Sequence, residues 1–149
     1  MNGVSKRVSM GGAAVLLALS SSLAYGLVLR HGGWSGMVMG KDGSAIHGDA
    51  TMKAGKDAGS TEVVVKLTGD TPSTTRPWHV HIGSCAKGGG VFGGGRSYTP
   101  LAGDAKGVSE GKATLAVAVP DTGSYYVNIH ESSTNMGKIV ACGDLKADK

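Results

Sequence analysis

The sequence predicts an all-β fold, an antiparallel β-sandwich or barrel, and three observations predict it. About six short segments alternate apolar and polar residues with a period of two. Their connections are polar or contain glycine, which reaches 26 of the 149 residues. No stretch has a helical period long enough to cover a parallel sheet.

The elements follow in order along the chain. Lys6 and Arg7 precede an apolar, small-residue run from Val8 to about Leu19, and Ala24-Tyr25-Gly26 offers small residues at a cleavage point. Residues 1–26 are therefore read as a signal peptide, and the protein as exported to a periplasm, cell envelope or exterior. A rival reading extends the run to Leu29 and makes it a membrane anchor, in which case the membrane is a partner. Residues 27–43 read as a Gly-rich linker, and residues 44–146 as one β-domain. Within it, "SAIHGDATM" and "STEVVVKLTGD" are the first strands, with Val63, Val65 and Leu67 on one face. "RPWHVHIG" is the next, followed by a glycine-rich loop. "GKATLAVAV" and "GSYYVNIHE" are expected to form a hairpin through "PDTG", and "KIVACGDL" closes the domain.

Charge excludes one function class. Loss of Lys6 and Arg7 with residues 1–26 lowers the formal charge from +4 to +2. The lysines are spread singly, without the basic runs and interleaved aromatics that track a phosphate backbone, so no nucleic-acid partner is expected. The carboxylates Glu110 and Asp121 lie in or near turns and read as solvated. Two cysteines in an exported chain, Cys85 and Cys142, are expected to pair; the alternative is two free thiols.

The histidines carry the chemistry. Alternation in "WHVHI" sends Trp78, Val80 and Ile82 to the core and His79 and His81 to the outer face, about 6.6 Å apart along the strand. The same rule in "SYYVNIHE" sends Tyr125, Val127 and Ile129 inward and Tyr126, Asn128 and His130 outward. Three of the five histidines thus share outer faces. If their strands are neighbours they meet, and imidazole suits copper and zinc. The competing reading is a merely polar outer face. Near the N-terminus, Met37, Met39 and Met52 with His31 and His47 suggest a copper-gathering tail of thioethers and imidazoles, against the plainer reading of linker and strand residues.

These residues resemble the copper/zinc superoxide dismutase family. "WHVHIGSC" is similar to that family's His-Val-His strand and first disulfide cysteine. "NIHESSTNMG" matches a later block with His130, Glu131 and Gly137 in register, and "VACGDL" resembles the final Ala-Cys-Gly. The resemblance spans roughly residues 44 to 146. It implies a Greek-key β-barrel, His79, His81 and His130 as ligands of one copper ion, and a Cys85–Cys142 disulfide.

The departures bear on activity. No histidine lies between His81 and His130, so the family's bridging histidine and zinc ligands are missing and no zinc is expected. The glycine-rich run Gly88–Gly95 replaces the zinc loop, with Phe92 expected to pin its middle to the barrel. Thr134 stands where an aspartate joins the two metal sites, and Ile139 where an arginine holds the anion. Lys138, Arg96 and Lys87 remain as candidates for attracting superoxide. Met136, His47, water or an anion is left for the copper's open position. The expectation is an exported copper-binding protein with doubtful dismutase activity. The alternatives are a copper-only superoxide dismutase and a metal-free envelope module.

Overall fold

A computed structural model describes residues 32–149 together with Gly3, so the signal segment expected over residues 1–26 lies outside the described residues, as does His31. Among the described residues nine strands form: β1 (Trp34–Gly40), β2 (His47–Ala54), β3 (Thr61–Thr68), β4 (Thr75–Arg76), β5 (Trp78–Ile82), β6 (Leu101–Ala102), β7 (Ser109–Leu115), β8 (Tyr125–Ser132) and β9 (Asn135–Ala147). Seven of them make one curled antiparallel sheet in the order β5-β8-β9-β1-β2-β3-β7, and β4 pairs with β6 beside it. The result is a half-barrel wrapped round its own apolar face. Among the described residues no helix is long and apolar enough to cross a membrane.

The expected linker is corrected. Its residues Trp34–Gly40 form β1, which lies near the middle of the sheet, between β9 and β2. Glycine serves close approach here rather than slackness. A Cβ on Gly36 would collide with the carbonyl oxygen of Asp144 on β9, so the residue type permits the strand pairing. Trp34 and Val38, 4% and 0% exposed, give β1 its inward face.

The core comes from alternation, as expected of a sheet with one buried face. Val63, Val65 and Leu67 of β3, Trp78 and Val80 of β5, and Val127 and Ile129 of β8 are all buried. Trp78 anchors the far side through its indole N–H, which donates to Thr99 O at 2.8 Å. Ile82 departs from the expected inward set and is 53% exposed, because β5 ends there and Gly83 turns the chain away at φ 121°.

The "PDTG" hairpin is also corrected. β7 pairs with β3, while β8 pairs with β5 and β9, so the Leu115-to-Tyr125 connection crosses between distant strands. Pro120 sits in that crossover, its carbonyl accepting the Trp34 indole N–H at 2.8 Å. Glu110 lies on β7 rather than in a turn and pairs with Lys66 at 3.8 Å; Lys112 and Glu62 pair similarly at 3.3 Å. These exposed pairs contribute little stability.

Candidate metal centre

Antiparallel pairing of β5 with β8 sets Trp78 opposite Ile129, Val80 opposite Val127 and His79 opposite Asn128. The apolar pairs take the core, and His79, His81 and His130 project from the other face. The pairing of β8 with β9 shifts register on both sides of His130. Such bulges re-aim a side chain, and the His130 N–H donates to Pro77 O at 2.9 Å, holding this end of β8 against the start of β5.

The three imidazoles converge, with one ligating atom from each lying within 4.8 Å of the others. His79 Nδ1 stands 3.1 Å from His130 Nε2. Backbone carbonyls choose which nitrogens face inward. His130 Nδ1–H donates to Met136 O at 2.6 Å, and His81 Nδ1–H donates to Gly89 O at 2.9 Å. Both rings are thereby fixed with an Nε2 lone pair toward the common point, the outer-shell arrangement typical of metal-bound histidine. His81 Nε2 is buried and has no hydrogen-bond partner. An orphaned buried acceptor of this kind is costly unless a ligand completes it.

The histidine face is not the wet surface that alternation alone suggests. His81 and His130 are 9% and 5% exposed. The glycine-rich loop lies against His81, whose Nδ1 bonds Gly89 O, and is stitched to β5 by Ile82 N–H to Gly90 O at 2.9 Å and Phe92 N–H to Val80 O at 2.8 Å. Phe92 enters the core as expected, and the Tyr98 hydroxyl donates to its carbonyl at 2.8 Å. Tyr98 packs edge-on against His79, with ring centroids 5.2 Å apart, and Tyr126 stacks on His81 at 5.1 Å. One end of the loop is tied by the Cys85–Cys142 disulfide, which is formed; no described cysteine is free.

Burial dominates the electrostatics. It lowers the pKa of His79 to about 4, with the neighbouring His130 and His81 acting in the same direction. Burial also lowers that of His130, against the opposing effect of its bond to Met136 O. Both rings are therefore neutral at neutral pH, the form that ligates a metal.

Sequence reasoning missed the frame behind the site. Arg76 donates from Nε and Nη2 to both carboxylate oxygens of Asp70, at 2.9 and 2.7 Å, and from Nη1 to Glu131 O at 2.7 Å. The Arg76 and Asp70 side chains are 14% and 3% exposed. This forked pair clamps the residue after His130 from beneath. Arg76 precedes the histidine strand by two residues, but no spacing rule joins it to an aspartate six residues earlier.

Of the remaining candidates, Lys138 is tied up in an ion pair with Glu131. Lys87 and Arg96 are exposed on the covering loop. Gly95, just before Arg96, is close enough that a Cβ there would lie 3.5 Å from His79 Nε2. His47 lies on β2, far along the sheet from β5, and its ring nitrogens contact Ala45 O at 2.9 Å and Thr68 Oγ1 at 3.0 Å. It is not a fourth ligand of this centre. Met52 is fully buried in the core, so it belongs to no copper-gathering tail.

No protein-family model matches the chain, and no curated protein matches it.

Proposed function

We propose that this is an exported protein of superoxide dismutase-like, Greek-key type that binds a single copper ion through His79 Nδ1, His81 Nε2 and His130 Nε2. The observation that carries the reading is the orphaned, buried Nε2 of His81, lying within ligand distance of the point where His79 Nδ1 and His130 Nε2 meet. The donor set fits the ion. Three imidazoles suit copper, and with no carboxylate in this mostly buried cluster a singly charged ion is accepted more readily than a doubly charged one. That charge argument favours Cu(I) over Zn(II). The disulfide is compatible with an oxidising, extracytoplasmic compartment.

Bound copper would supply one-electron redox chemistry. The chain's own residues do the rest: Gly89 O and Met136 O orient two rings, Tyr98, Tyr126 and the loop exclude water, and the Arg76–Asp70 pair fixes the β8 backbone. No histidine lies between His81 and His130 to serve as a bridging proton carrier, which favours holding copper over rapid turnover. The test is equilibrium dialysis against copper. The native chain retains one ion, and His79→Ala/His81→Ala retains none; equal retention by both would remove the proposal.

A second reading, a copper-only superoxide dismutase, is favoured by Arg96. It follows the glycine that approaches His79 and has no ion-pair partner among the described residues. Of the three expected cations it is the one best placed to attract an anion. Superoxide consumption by copper-loaded protein that falls with ionic strength and with Arg96→Gln supports this reading. Absence of turnover in loaded protein excludes it and leaves copper holding.

A further inference from the structure

The outward face of β1 carries Met37 and Met39, which are 71% and 52% exposed. β1 is flanked on both sides by strands, so their exposure is not the fraying of a sheet edge. Exposed thioethers two residues apart on a rigid strand have no packing role to explain them. The register gives them neighbours. Met39 lies opposite His47 on β2 and opposite Cys142 on β9. Met37 lies opposite Asp49 on β2, and continuation of the β1–β9 register places it opposite Asp144.

We infer that Met37 and Met39, with His47 as third ligand, form a separate surface site for a cuprous ion. Thioether sulfur is a soft donor that selects Cu(I). The two side chains start about 6.6 Å apart on the same face, and methionine's three rotatable bonds let both sulfurs close on one ion. His47 Nδ1–H donates to Ala45 O, which leaves Nε2 as the ligating atom; its present partner is the exposed hydroxyl of Thr68, which a metal can displace. Asp49 and Asp144 lie on either side of Met37, but Lys66 stands opposite Asp49 and Asp144 accepts the Cys85 N–H at 2.8 Å, so the thioethers and the imidazole carry the site. The site does not rest on the reading of the three histidines. It lies in the same cross-strand row as His79, through Cys142 and Asn128. Three strand spacings of about 4.8 Å separate the two, or roughly 14 Å, so one ion cannot serve both.

Silver(I), a redox-inert stand-in for Cu(I), tests the inference on the full chain without reducing the disulfide. The ε-methyl resonances of the methionines are followed during titration. Those of Met37 and Met39 shift together on binding one ion, while those of Met52 and Met136 do not. Met37→Leu/Met39→Leu, which keeps side-chain volume, loses that ion and weakens silver binding at this site by at least about tenfold. His47→Ala weakens it less while leaving both methyl shifts in place. A second ion that binds without moving these methyls reports the histidine centre, so the two sites succeed or fail separately. Unmoved Met37 and Met39 methyls, or a leucine variant that takes up as much silver as the native chain, overturns the inference.

Discussion

His79 Nδ1 and His130 Nε2 face each other at 3.1 Å across two paired strands, although the residues are 51 apart in sequence. The bond from His130 Nδ1–H to Met136 O leaves His130 Nε2 without a proton, so in the metal-free chain the bridging proton belongs to His79. One proton held between the half-buried His79 and the buried His130, beside a third imidazole whose Nε2 lone pair has no partner, describes a place that a metal ion completes.

Acid should therefore loosen the metal-free protein. The folded pKa of His79 is about 4, below its ordinary value because of burial, and that of His130 is lowered too. An unfolded histidine takes up its proton near pH 6.5, so stability is fully present above that pH and is lost as pH falls toward 4. Thermal melting of metal-free protein across this range should show a decline that is shallower in His79→Gln. An identical slope in the variant would contradict this assignment.

The Arg76–Asp70 clamp should matter to both stability and metal affinity. Burial raises the Asp70 carboxyl pKa, yet hydrogen bonds from Arg76, Thr74 and the Thr71 N–H outweigh it and hold the pKa below the usual carboxylate value. Its contribution is present above that ordinary value and lost as pH falls through the lowered one. Asp70→Asn leaves the guanidinium half-paired and should cost about 3 kcal/mol in denaturant unfolding at pH 7. Arg76→Met/Asp70→Leu, which removes both charges, should recover much of that stability but not full copper affinity, since Glu131 O loses its donor.

Gly89 ties the covering loop to the site. Its carbonyl orients His81, and a Cβ on it would collide with the carbonyl oxygen of Ile82. Gly89→Ala should push this carbonyl away and weaken metal binding by about tenfold or more. Competition with a chromophoric chelator measures it. Gly90→Ala, where a Cβ meets open space, serves as the control and should bind normally.

The disulfide links residues 57 apart. Cys85→Ser/Cys142→Ser should lower stability by about 4 kcal/mol on the chain-entropy model. Urea unfolding of the metal-free forms gives the value. Copper release should also quicken, because the loop over His81 loses its tether.

Much of this was legible because strands alternate. The period of two in "WHVHI" and "SYYVNIHE" separates Trp78, Val80, Val127 and Ile129 from His79, His81 and His130, and the structure keeps that separation. Alternation says nothing about what covers a face. The covering of His81 involves a loop whose path depends on Phe92, Tyr98 and the disulfide acting at long range. Glycine misled in residues 27–43, where Gly36 permits close strand contact instead of marking a linker. "PDTG" has local turn chemistry, but strand choice is decided globally: β7 buries Leu115 against β3, and β8 is taken by β5 and β9. The Asp70–Arg76 clamp leaves no periodic trace at all.

Electron paramagnetic resonance of the native chain loaded with one equivalent of Cu(II) tests the central claim most directly. Hyperfine structure from three imidazole nitrogens is expected, reduced to two in His130→Ala. A spectrum with no nitrogen coupling, or one unchanged by loss of His130, would contradict a copper centre built from these three histidines.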